Sequence, residues 1–131
     1  MNTAGSVLVD TNAVVAYFRG DQTLPPHFAE FALLYMPWAV LGELHFGAQR
    51  AQRRLQQLEH IRDFLTFAVV LFPDQTTTEH YGQIKAELAQ IGRPIPDNDV
   101  WIAAVARQNK LPLATRDEHF TAVPGIKTLA W

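Results

Sequence analysis

Five acids, Asp10, Glu43, Asp97, Asp99 and Asp117, follow or adjoin segments that read as strands. Asp10 closes the apolar run Ser6-Val7-Leu8-Val9, and Asp117 lies two residues beyond a run ending at Thr115. Glu43 falls in the first turns of a helix after a second strand, while Asp97 and Asp99 open the helix before a later strand. All five therefore belong to one edge of the predicted sheet. Gathering them is unfavourable without a cation, because like charges at close range repel or force protonation. A hard divalent cation resolves that conflict, and Mg²⁺ typically combines one or two protein carboxylates with waters and phosphate oxygens. Each acid also has a plain structural explanation. Asp10, Asp97 and Asp117 are each placed to cap a helix start. Glu43 is the hardest to dismiss, because it lies inside a helix rather than at its cap, and its simplest structural account is a solvated helix face. Capping accounts comfortably for one of Asp97 and Asp99, not both. The set carries the metal reading better than any member.

The elements that must position these acids alternate along the chain. Ser6–Val9 reads as a strand buried on both faces, a continuous apolar run rather than an alternating one. Helices are expected over Asn12–Arg19 and His27–Leu34, with a strand at Leu34–Met36 ended by Pro37. Leu41, Leu44, Ala48, Ala51 and Leu55 mark one side of a helix over Ala39–Arg54, and Leu55, Leu58, Ile61 and Leu65 mark the next. Phe67–Phe72 is again strand-like. Tyr81, Ile84, Leu88 and Ile91 line a helix over Thr78–Ile91, with Gly92 as its stop. A helix over Asn98–Gln108, a strand over Leu111–Thr115 and a last strand at Lys127–Ala130 complete the pattern. Such alternation implies right-handed crossovers and an α/β fold, a mostly parallel sheet covered on both faces. Ligands of such sheets sit beyond the carboxyl ends of the strands, where the acids are expected.

Composition narrows the function classes. The 131 residues fit a single domain over 1–131, and 48% hydrophobic content supports one core. No stretch is long and apolar enough to span a membrane. The opening MNTAGSVLVD lacks the basic and apolar regions of a signal peptide, so a cytoplasmic protein is expected. There is no cysteine, which excludes disulfides, thiolate zinc sites and cysteine nucleophiles. The net charge of −2 argues against holding nucleic acid mainly by charge. Any such contact must be local, with a metal and a few arginines offsetting the acids.

Taken in order, four motifs make the acids specific. They are Val9-Asp10-Thr11-Asn12, Gly42-Glu43-Leu44-His45-Phe46-Gly47, Asp97-Asn98-Asp99-Val100-Trp101-Ile102-Ala103-Ala104, and Ala114-Thr115-Arg116-Asp117-Glu118-His119-Phe120 with Val123-Pro124-Gly125 behind it. Together they resemble the PIN-domain nucleases, most closely the VapC-type toxins of bacterial toxin–antitoxin pairs. The resemblance implies a three-layer α/β/α sandwich and an endoribonuclease dependent on Mg²⁺ or Mn²⁺. It assigns metal-coordinating and catalytic acids to Asp10, Glu43, Asp99 and Asp117, with Asp97 supporting. Thr11, Asn12 and Thr115 fit positions that orient carboxylates. It further implies an RNA substrate, a homodimer, and a cognate antitoxin wrapped over the helical pair from Ala39 to Leu65.

Arg50 and Arg54 share a helical stripe with Glu43 and Gly47, and Arg116 adjoins Asp117, so these three are candidate RNA contacts. Gly47 leaves room for a neighbouring chain or substrate. His45 and His119 flank acids but read as packed or solvated rather than ligands. Trp38 and Trp101 read as core or interface aromatics rather than base-stacking platforms. Three rival readings remain. A phosphoacceptor receiver domain would use Asp74, which follows the third strand-like run, but lacks its acidic pair and late lysine here. A silent interaction module of the same fold would not need the full acid set. A DNA flap nuclease would need more chain than is present.

Overall fold

The structure, a computed structural model, describes residues 5–131, so the first residues of the segment read for a leader lie outside it. Five strands, β1 (Ser6–Val9), β2 (Leu33–Pro37), β3 (Ala68–Leu71), β4 (Leu113–Thr115) and β5 (Thr128–Ala130), form one sheet in the order β3-β2-β1-β4-β5. Every pairing is parallel, and Leu8 sits between Tyr35 of β2 and Leu113 of β4. Val7, Leu8 and Val9 are fully buried, which explains why β1 needs an unbroken apolar run. Six α-helices flank the sheet: α1 (Thr11–Phe18), α2 (Leu24–Phe28), α3 (Trp38–Arg50), α4 (Arg54–Phe64), α5 (Gln75–Gln90) and α6 (Asp97–Asn109). A short 3₁₀ turn spans Glu118–Ala122. The expected α/β class and largely parallel sheet are what is found.

Chain order reverses about β1: β2 and β3 extend the sheet to one side, β4 and β5 to the other. The carboxyl ends of β1 and β4 thus meet at the switch point, the usual seat of a ligand in open sheets. The backbone N–H of Asp10 donates to the Ala114 carbonyl at 3.0 Å, carrying the pairing one residue past β1.

Several boundaries differ from the sequence expectation. The second helix is Leu24–Phe28 rather than His27–Leu34. Pro25 and Pro26 sit in its first turn, where a missing N–H costs nothing. α3 stops at Arg50, with Ala51 extended, so Leu55 falls out of register and is 80% exposed. α5 starts at Gln75 because Asp74 caps it: its carboxylate accepts from the Thr77 N–H while the Thr77 hydroxyl accepts from the Asp74 N–H. Ile91 lies just past the last turn of α5 and is exposed. In the Val123-Pro124-Gly125 turn, Gly125 has φ +78°, and a Cβ there would stand 2.9 Å from Arg107 Cδ. Arg107 pins this turn by donating to the Pro124 carbonyl while pairing with Glu87, each at 2.9 Å.

Candidate active site

Asp10 follows β1 directly and is 5% exposed, so its carboxylate must be satisfied from within. One oxygen accepts from the Thr11 N–H at 2.7 Å, the other from the Thr115 hydroxyl at 2.6 Å. Thr115 closes β4, and its Oγ1 also accepts from the Asp117 N–H at 3.0 Å. One hydroxyl therefore ties the acid after β1 to the acid after β4. Burial pushes the Asp10 carboxyl upward, against the two hydrogen bonds, and the charge of Asp117 adds to the rise. Asp10 also sits at the N-cap of α1. Capping and clustering thus coexist in one residue.

Asp99 occupies the first turn of α6 and carries the mark of crowding. Its carboxyl is raised to about 6, by burial first, then by the charges of Asp10 and Asp117, with Glu43 adding to them and His119 opposing. Glu43, on α3, is raised by burial and by Asp10, against a hydrogen bond from the Asn98 amide at 3.2 Å. The buried Thr11 hydroxyl beside Glu43 lies outside hydrogen-bond geometry with any partner. Asp10, Glu43, Asp99 and Asp117 therefore feel one another electrostatically, although four separate elements supply them.

Of these acids, Asp99 and Asp117 combine with His119 into a set whose ligand atoms all lie within 4.8 Å of one another. His119 Nδ1 stands 3.2 Å from Asp117 and 3.6 Å from Asp99. Oxygen-rich donors with one imidazole suit a divalent cation, and the raised Asp99 carboxyl reports the negative charge such an ion would offset. Sequence reasoning passed over His119 as packed or solvated; its signal was a position two residues after Asp117 in a tight turn. Asn98, within the Asp97–Ala104 motif, holds Glu43 through its side-chain amide, a role that its spacing in the sequence does not signal.

Other predicted residues are placed elsewhere. Asp97 turns to Lys85, 2.9 Å away, which lowers its carboxyl pKa. Neither it nor Asp99 makes a side-chain cap for α6, whose N-cap is Pro96. Asn12 orients no carboxylate; its Oδ1 accepts from the Arg116 N–H at 3.1 Å. Arg116 binds Asp21 at 2.7 Å, Thr23, and the Trp131 carbonyl, so its guanidinium is committed to the fold. The break after α3 separates Arg54 from the Glu43 stripe, and its guanidinium meets Gln49 instead. Arg50 alone of the three shares a cleft with Glu43, lined also by Thr11, Phe46 and Gly47. Asp74 is engaged by Thr77 and by the Gln108 amide at 2.8 Å, a capping role that leaves the receiver reading without its acceptor.

Comparison with known proteins places the chain in a family. A family model described as PIN domain matches residues 7–126. The tRNA(fMet)-specific endonuclease VapC of Salmonella typhimurium is 34% identical over 95% of this chain and 96% of its own length. The solved VapBC-5 of Mycobacterium tuberculosis, a member of the VapBC family of toxin–antitoxin systems, is 26% identical over 96% of this chain and 98% of that one, with TM-score 0.78. VapBC2 from Rickettsia felis, solved bound to a promoter DNA fragment, shares the fold at TM-score 0.92 with 23% identity, over 96% and 98% of the two chains.

Proposed function

Because this chain belongs to the PIN-domain family, we propose that it is a metal-dependent endoribonuclease and the toxin half of a VapBC-like toxin–antitoxin pair. Residues 1–131 would act as one nuclease domain in the cytoplasm, as a homodimer held silent by a cognate antitoxin. Among the described residues no helix is long and apolar enough to cross a membrane. The observation that carries the reading is geometric: Asp99, Asp117 and His119 bring ligand atoms within 4.8 Å of one another, and Thr115 ties Asp10 to the Asp117 backbone beside them.

Asp10, Glu43, Asp99 and Asp117 would hold Mg²⁺ or Mn²⁺, with His119, whose ring nitrogen falls in one cluster with Asp99 and Asp117, as a further ligand. The bound ion would offset phosphate charge and lower the pKa of a water for in-line attack. Thr115 orients the Asp10 carboxylate and, through the Asp117 N–H, holds the backbone that carries the Asp117 acid. Asn98 fixes Glu43, whose raised carboxyl suits it to orient or take a proton from the attacking water. With water as nucleophile and the 3′-oxygen as leaving group, the products would be a 5′-phosphate and a 3′-hydroxyl. Arg50, in the cleft beside Glu43, is placed to meet a flanking phosphate.

The test is incubation of antitoxin-free protein with structured RNAs in Mn²⁺ or Mg²⁺, then with chelator. Cleavage should disappear on chelation and fall at least a hundredfold in Asp10→Asn and Asp99→Asn, on the order of losing an ionic stabiliser of the transition state. Equal activity in those variants, with contaminating ribonucleases excluded, would overturn the assignment.

A further inference from the structure

Glu43 borders a second feature that the acids do not use. A shallow depression of about 490 Å³ is lined by Trp38, Gly42, Glu43, Phe46, Asn98 and Trp101. Asn98 donates to Glu43 at 3.2 Å, so the depression and the acid cluster share a wall. Its aromatic sides are braced. Trp101 stacks on Tyr81 with centroids 4.0 Å apart and meets Trp38 edge-on at 5.7 Å. Phe46 is 61% exposed, and it also lines the cleft holding Arg50, whose guanidinium lies 4.6 Å from its ring centre. Gly42 keeps the space open: a Cβ there would meet nothing within 4 Å. Glycine inside a helix weakens it relative to alanine, so packing within α3 does not call for one here.

Resting on the nuclease reading above, we infer that this depression takes one unpaired nucleobase of the RNA, beside the phosphate that the acids address. A base has a flat π-face that stacks on indole or phenyl rings whatever its identity. Its polar edge can meet Asn98, an amide with both donor and acceptor atoms. The charge balance favours the same occupant. A chain of net charge −2 gains little from phosphate attraction, and stacking supplies affinity that charge does not. Arg50 on the other side of Phe46 adds one cation where the backbone of the same strand would pass. Trp38 and Trp101, read from sequence as core or interface aromatics, are half-buried: Trp38 packs against the core, and both also line the depression beside Glu43.

Binding is read by tryptophan emission in a Trp131→Phe background, where Trp38 and Trp101 are the remaining indoles. The probes are single-stranded pentaribonucleotides of each base and an abasic ribose-phosphate pentamer, with Ca²⁺ in place of Mg²⁺. At least one base-bearing pentamer should quench saturably, and the abasic one should not. Gly42→Gln, which should melt no lower than its parent because a helix favours glutamine over glycine, and Phe46→Ala should each weaken binding roughly tenfold, and raise KM for cleavage more than they lower kcat. Quenching by no base-bearing pentamer, equal quenching by the abasic one, or unchanged affinity in both variants would overturn the inference. So would a Gly42→Gln protein whose sedimentation or antitoxin binding changes while its RNA affinity does not, which would make the depression a protein interface. Failure of the nuclease reading looks different, since wild-type protein would then leave RNA uncut with and without chelator.

Discussion

Thr115 uses one hydroxyl twice, donating to Asp10 and accepting from the Asp117 N–H. Thr115→Val keeps the shape and removes both bonds. Leaving Asp10 short of a partner should cost about 1–3 kcal/mol of stability, and metal affinity should fall roughly ten- to a hundredfold. Calorimetric titration with Mn²⁺ and a denaturation curve read the two effects; unchanged values in both would mean that the acids hold their places unaided. Asp99 supports a second prediction. Its folded carboxyl is raised from 3.8 to about 6, chiefly by burial and the charges of Asp10 and Asp117. The folded state therefore binds this proton more tightly than the unfolded state. Its favourable contribution is complete below pH 3.8 and is lost as pH rises through about 6. In metal-free protein, Asp99→Asn should melt higher than wild type near neutral pH, and the gap should narrow as pH falls through about 6 and close on approaching pH 3.8. Adding Mn²⁺ at neutral pH should raise the wild-type melting temperature and reverse the order. A gap that ignores pH would place the repulsion elsewhere.

At the scale of elements, α3 carries two glycines that its own packing does not require. A Cβ at Gly42 or at Gly47 would meet nothing within 4 Å. Each change to alanine should therefore add about 1 kcal/mol to stability, the ordinary helix-propensity difference. Urea denaturation of the single variants checks this, and a loss instead would mean that α3 needs glycine for its backbone path. The same helix shows what periodicity could and could not reveal. Leu44 and Ala48 are buried as the apolar pattern requires, because the pattern records which side faces the core. Leu55 was drawn into that stripe only because the pattern does not announce the turn after Arg50. The acids were legible for a topological reason: Asp10 and Asp117 follow strand ends and Glu43 and Asp99 lie in the first turns of helices, and parallel sheets bring these points to one edge. What each side chain does there was less legible. Asp97 and Asp99 are two residues apart and equally acidic, yet one faces Lys85 and the other the acid cluster. That difference is set by α5, packed alongside α6, which supplies Lys85. Arg116 likewise lost its expected role to Asp21 and the Trp131 carbonyl, partners distant in sequence that no local motif encodes.

For the molecule as a whole, the charge balance decides how RNA can be held. A nuclease that gripped the backbone with many cations would show a steep loss of affinity with salt, about 0.7 per neutralised phosphate of a single strand on a log–log plot. This chain has net charge −2, and two of its three candidate arginines are engaged away from the acids. Arg50 remains beside Glu43, and a divalent cation would add local charge rather than a long positive track. Affinity for a short single-stranded RNA, measured in Ca²⁺ across increasing KCl, should therefore fall with a log–log slope of magnitude about 1–2 per protomer. Arg50→Gln should lower that magnitude by about 0.7, since it removes one phosphate contact. Arg54→Gln should leave it unchanged. Arg116→Gln should do the same to the slope while lowering the melting temperature, because its bonds to Asp21 and Trp131 hold the chain end to the sheet. A slope of about 4 or more would require several further phosphate contacts. These would have to come from a surface continuous across two protomers, because the cleft beside Glu43 is lined by two arginines, Arg50 and Arg19.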